Sequence, residues 1–166
     1  MPPLSVSPAK SMVLMSGPDL PPILVAEDEE SDVMFLRRAL RKAAIPHPLV
    51  VATNGREAIR YLSGEDLFSD RAQHPLPALI LVDLKMPDCD GFGLLDWRRS
   101  QPSLHHLPAV VLTSSAHLED KLKARQLGAL DYFVKPLKPE ALVGVVQQLH
   151  ARWLAPNSPP QKPVSQ

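Results

Sequence analysis

Five short runs of apolar, largely β-branched residues alternate along the chain with helix-spaced patterns, and no other feature limits the fold as much. The runs are Ile23–Ala26, Pro48–Thr53, Ala78–Asp83, Pro108–Ser114 and Asp131–Lys135, each bounded by Pro, Asn, Gly or Asp. Between them Val33, Leu36, Leu40 and Ala43 fall at helical spacing, Ala58, Ile59 and Leu62 repeat it briefly, and Leu94, Leu95 and Trp97 follow Gly91. Leu118, Leu122 and Arg125–Leu127 lead to Gly128 as a stop signal, and Leu142, Val145, Val146 and Leu149 follow Pro139 as a start signal. Strands this continuously apolar need cover on both faces. The pattern therefore predicts an α/β fold, a doubly wound parallel sheet with helices on both sides.

A chain of 166 residues with 45% hydrophobic content supports one domain with a real core. Pro-rich and Ser-rich ends without apolar periodicity set its limits: residues 1–21 and 155–166 are expected to be disordered tails around a domain at 22–154. Eighteen Lys and Arg balance 18 Asp and Glu, so no global basic field exists to hold nucleic acid. One cysteine, Cys89, rules out an internal disulfide framework and a Cys cluster for zinc, which suits a reducing, cytoplasmic setting. No apolar run approaches the roughly 20 residues of a membrane helix, and neither a signal peptide nor an anchor is expected.

In open parallel sheets the ligand crevice lies beyond the carboxyl ends of the strands, where strand order reverses. Here those ends carry Glu27 and Asp28 after the first run, Asp83 at the third, Thr113 and Ser114 at the fourth and Lys135 at the fifth. Thr53 and Asn54, closing the second run, read instead as a helix cap. Asp83 raises the sharpest question, because an uncompensated carboxylate at the end of a buried strand costs several kcal/mol. Adjacent first and third strands would gather the three acids, and a divalent cation would relieve their repulsion. An all-oxygen site of this kind suits magnesium, which together with Lys135 would compensate Asp83. The same set suits phosphoryl transfer: Asp83 as nucleophile forms an acyl phosphate whose oxygens meet Thr113 and Lys135.

ILVAEDE, LILVDLKMPDCDG, VVLTSS and GALDYFVKP, in this order and each at a strand end, resemble the receiver domain of bacterial two-component response regulators across residues 23–154. The resemblance implies the flavodoxin-like strand order 2-1-3-4-5, a five-stranded sheet, and phosphorylation of Asp83 by a phosphohistidine on a sensor histidine kinase. It also implies that Glu27, Asp28, Asp83 and the backbone carbonyl of Lys85 hold Mg2+, that Thr113 and Lys135 contact the phosphoryl group, and that Tyr132 is the switch aromatic. A cis Lys135–Pro136 peptide belongs to the same set of expectations. The extended loop Ser63–Pro77 and the closing QLHARWL are similar to single-domain regulators that work with bacterial phytochromes. A homodimer through the last two helices and the fifth strand is expected because Tyr132 lies there and phosphorylation would be felt on that surface, with Leu137, Val143 and Trp153 as contact candidates.

Each residue also has a plain structural reading. Asp83 could feed the Pro87–Gly91 turn, Glu27 and Asp28 could oppose a helix dipole, Thr113 could be a strand former and Lys135 a surface lysine. Asp88 and Asp90–Gly91 read as loop and helix-start chemistry, His105 and His106 as polar loop, and Trp153 as core lid or partner surface. Among other functions, a haloacid-dehalogenase-like phosphohydrolase is the alternative, although it needs an acid two residues after the nucleophile, where Lys85 stands. A flavodoxin-like cofactor binder would meet the acidic EDEES after the first strand, which repels an anionic cofactor. A pseudo-receiver that only binds partners would not need the complete acidic set.

Overall fold

The structure, a computed structural model, describes residues 20–155; segments 1–19 and 156–166, which hold nearly all of both expected tails, lie outside the described residues. All five apolar runs form strands: β1 Ile23–Ala26, β2 Leu49–Ala52, β3 Leu79–Val82, β4 Ala109–Thr113 and β5 Asp131–Val134. They pair in parallel in the order β2-β1-β3-β4-β5, the doubly wound order expected. Between and after them run α1 Glu30–Lys42, α2 Gly55–Ser63, α3 Gly91–Arg99, α4 Leu118–Gln126 and α5 Leu142–Leu149.

Successive strand residues point to opposite faces, which divides the core in two. Leu24, Ala26, Ile80, Val82 and Val111 face one layer, built from Ala58 and Leu62 of α2, Leu94 and Leu95 of α3 and Ala124 of α4. Ile23, Val25, Leu79, Leu81 and Val110 face the other, where Leu36 and Leu40 of α1 meet Leu142 and Val146 of α5. Burying a Leu or Ile contributes on the order of 1.5–3 kcal/mol, so these two layers fix the register and with it the position of every strand end.

Local chemistry sets the helix ends. Asn54 caps α2 by accepting from the Glu57 amide at 2.8 Å, while the Glu57 carboxylate accepts from the Thr53 amide at 2.7 Å. Asp90 caps α3 through the Gly93 amide at 2.9 Å, as loop and helix-start chemistry requires. The long loop after α2 is tied down by Arg71, whose guanidinium donates to the carbonyls of Tyr61 (2.9 Å), Leu62 (2.8 Å) and His74 (3.1 Å). Those first two carbonyls belong to the last turn of α2, whose negative dipole end favours the cation.

Two expectations need correction. Leu118 and Leu122 of α4 are 64% and 45% exposed, and the helix buries only Ala124, so its leucines do not form the inward face their spacing implies. None of the described peptide bonds is cis, so Lys135–Pro136 is trans; the small intrinsic preference of an X–Pro bond leaves the isomer to its surroundings. The last helix also continues beyond Leu149 in a π-helical turn, His150–Leu154. The wider turn shifts the phase, bringing Leu154 back into the core and packing Trp153 against the α1–α5 layer.

Candidate functional site

The carboxyl ends of β1, β3, β4 and β5 converge. Glu27 follows β1 directly and Asp83 follows β3, both buried, because the strands that deliver them are the fully buried centre of the sheet. Carboxylate oxygens of Glu27, Asp28 and Asp83 lie within 4.8 Å of one another. Thr113, the last residue of β4, is 0% exposed, and Lys135, one residue past β5, reaches across the rim. Asp28 and Lys85 are exposed at the edge.

The Lys135 ammonium answers why a charge can stand at the end of β3. Its Nζ lies 2.5 Å from Glu27 Oε2, 2.8 Å from Asp32 Oδ2 and 3.3 Å from Asp83 Oδ2. Burial works against the ammonium, but the hydrogen bonds to Asp32 and Glu27 and the nearby charges outweigh it and raise the Lys135 pKa. Burial pushes the Glu27 carboxyl up from 4.5 to about 7, against the opposing pull of Lys135 and the Glu29 amide. Three carboxylates thus contact one ammonium, and a fourth, Asp28, stands beside two of them, an imbalance that favours a further cation.

Asp32 is the member of this set that sequence reasoning missed. The signal was present: Asp32 stands four residues before Leu36 and eight before Leu40, on the face of α1 that turns inward. It sits in the first helical turn, so its charge also suits the dipole there.

One buried oxygen has no partner among the described residues, Asp83 Oδ1. A buried carboxylate oxygen left unpaired costs free energy, and together with the clustered Glu27 and Asp28 oxygens it makes a hard, all-oxygen donor set. These residues fit a small divalent cation. A cavity of about 150 Å³ adjoins the rim, lined by apolar side chains including Phe35, Leu36 and Leu142 and by Glu27, Asp32, Asp83 and Lys135.

A second network joins β4 to β5. The Tyr132 hydroxyl donates to the Ser115 carbonyl at 2.9 Å, and Ser115 Oγ donates to Asp120 Oδ2 of α4 at 2.5 Å. The Ser115 amide points at Thr113 Oγ1 from 3.4 Å, so the buried threonine, the loop after it and the aromatic of β5 form one connected unit. The histidines of the polar loop take no part: His105 and His106 are exposed, and His105 Nε2 lies 2.8 Å from the Arg99 carbonyl.

A doubly wound sheet whose carboxyl rim gathers acids, a buried hydroxyl and a lysine defines a class of α/β domains built for phosphoryl chemistry. Residues 23–147 match the response regulator receiver domain, and the chain belongs to that family. It is 31% identical over 142 residues to the response regulator Rcp1 of Synechocystis, covering 84% of this chain and 95% of that protein. The crystal structure of the phosphorylated cyanobacterial phytochrome response regulator RcpA is 30% identical, covers 86% of this chain and 99% of its own, and superposes with a TM-score of 0.77. That of the Mn2+-bound form of Rcp1 is 29% identical, with 84% and 99% coverage and a TM-score of 0.74. The chain is thus a response regulator of two-component signalling, and the phosphohydrolase alternative finds no support.

Proposed function

We propose that residues 22–154 form a receiver whose phosphoacceptor is Asp83, loaded by a sensor histidine kinase of the bacteriophytochrome kind. The observation that carries this reading is the unpaired Asp83 Oδ1, on a buried carboxylate whose other oxygen faces Lys135. Asp83 attacks the phosphorus, the P–N bond to the kinase histidine breaks, and a P–O bond to the carboxylate forms. Lys135 neutralises a phosphoryl oxygen, and Thr113 donates its hydroxyl to another. Glu27, Asp28, Asp83 and the Lys85 carbonyl would hold Mg2+, which supplies charge neutralisation at the transferring group. The manganese-bound relative supports a divalent ion in this class of site.

The protein acts as a switch and turns over no separate substrate in this reading. Pull of the phosphoryl group on Thr113 is transmitted through Ser115 to Tyr132, changing the surface of α4, β5 and α5. A second copy of the chain docks on that surface, where Leu118, Leu122 and Val134 are exposed. Sedimentation with and without a small phosphodonor tests this part: association that strengthens on phosphorylation is expected, and a monomer under both conditions contradicts it. The cytoplasm is the setting that fits a histidine kinase partner, and among the described residues no helix is long and apolar enough to cross a membrane.

The partner is tested by incubating the protein with radiolabelled bacteriophytochrome kinases and with unrelated histidine kinases. Fast, preferential transfer from the phytochrome type is expected, and equal or slower transfer from it contradicts the light-signalling assignment.

A further inference from the structure

Lys135 donates in three directions, to Glu27, Asp32 and Asp83, and an ammonium has three N–H groups to give. Two of those acceptors belong to the carboxylate set that fits a divalent cation; Asp32 does not. A cation that takes oxygens of Glu27 and Asp83 competes directly with the ammonium for both. The ammonium then keeps one carboxylate partner, Asp32, which is held by α1 and is only 34% exposed. Lys135 and Asp32 both line the 150 Å³ cavity, and the ammonium already lies 2.8 Å from Asp32 Oδ2, so keeping that partner requires no new contact.

We propose that Asp32 is a positioning residue that retains the Lys135 ammonium at the rim while Glu27 and Asp83 turn to a divalent cation. It touches neither the phosphoryl group nor the ion and acts through Lys135 alone. Asp32 therefore lowers the cost of separating Lys135 from the ion-binding carboxylates and leaves the lysine within reach of the phosphoryl group that follows. The inference rests on the receiver-site reading above.

The test is calorimetric titration of the full chain with Mg2+ and, separately, Mn2+, without a phosphodonor. Asp32→Asn is expected to weaken both ions about fivefold, the worth of a charge-assisted hydrogen bond discounted for partial exposure. In a Lys135→Met background the same change is expected to matter by less than about twofold, because no ammonium is left to retain. Lys135→Gln provides a second neutral background should the methionine variant not fold. Asp32→Glu, with lysine present, restores most of the affinity. Equal weakening with and without the Lys135 charge would show a plain charge effect and overturn the proposal, as would no weakening at all. Failure of the unaltered protein to bind either ion is a different result, one that removes the receiver-site reading itself.

Discussion

Gly91 stands against Asp83 so closely that a Cβ built on it would lie 2.2 Å from the Asp83 carbonyl oxygen and 2.8 Å from Leu84 Cα. The first residue of α3 thus packs on the backbone that presents the phosphoacceptor candidate, and the Gly91 amide donates to the Leu84 carbonyl at 3.1 Å. Backbone cannot yield as a flexible side chain can. Gly91→Ala is therefore expected to destabilise the fold by about 2–3 kcal/mol and to displace the loop after β3. Urea denaturation measures it, and a loss below about 0.5 kcal/mol would show that the contact relaxes freely.

Arg71 links the long loop to the end of α2 through three carbonyls. Replacing it with Met keeps the stem but leaves those half-buried carbonyls without their donor. A loss of about 2 kcal/mol is expected in chemical denaturation. Faster amide exchange confined to residues 63–77 is the accompanying signature, and unchanged exchange there contradicts the anchoring role.

Tyr132→Phe removes one hydrogen bond, to the Ser115 carbonyl, and keeps the ring. Expected are a modest stability loss of about 1 kcal/mol and faster amide exchange in the loop between β4 and α4. A change in the exchange of β1 or α1 instead would place the tyrosine in a different network from the one described.

The pH dependence of stability follows from Glu27. Its folded pKa, about 7, lies above the ordinary 4.5, so folding favours the protonated form. The resulting stabilisation is complete below the unfolded pKa and is lost as pH rises through the folded one. In metal-free buffer the Tm of the protein relative to Glu27→Gln is expected to rise as pH falls from about 8 to about 6. A constant difference across that window contradicts the raised carboxyl. Added Mg2+ is expected to reverse the slope, since an ion competes with the proton for the same oxygens.

The fold was legible because strand and helix periods are written directly into the apolar residues: the alternation of β-branched runs and helical spacings survives intact in the sheet and its two layers. Glu27, Asp28, Asp83, Thr113 and Lys135 could be found for a related reason, since each stands at or just past a strand end and topology brings those ends to one rim. Asp32 escaped because its partner is 103 residues away and its place on a helix start has an adequate local explanation in the dipole. Leu118 and Leu122 misled for the opposite reason: helical spacing says which residues share a face, not whether a neighbour covers it. The π-helical turn at His150–Leu154 leaves no simple period, so the inward return of Leu154 becomes visible only in three dimensions.

Everything functional here depends on Asp83 being the group that takes the phosphoryl. Incubation with acetyl phosphate and Mg2+, followed by intact-mass analysis and borohydride trapping of the acyl phosphate, reads that out residue by residue. One phosphoryl group per chain is expected, mapped to Asp83, dependent on the divalent ion and lost in Asp83→Asn. Labelling that persists in Asp83→Asn, or none in the unaltered protein, would contradict it.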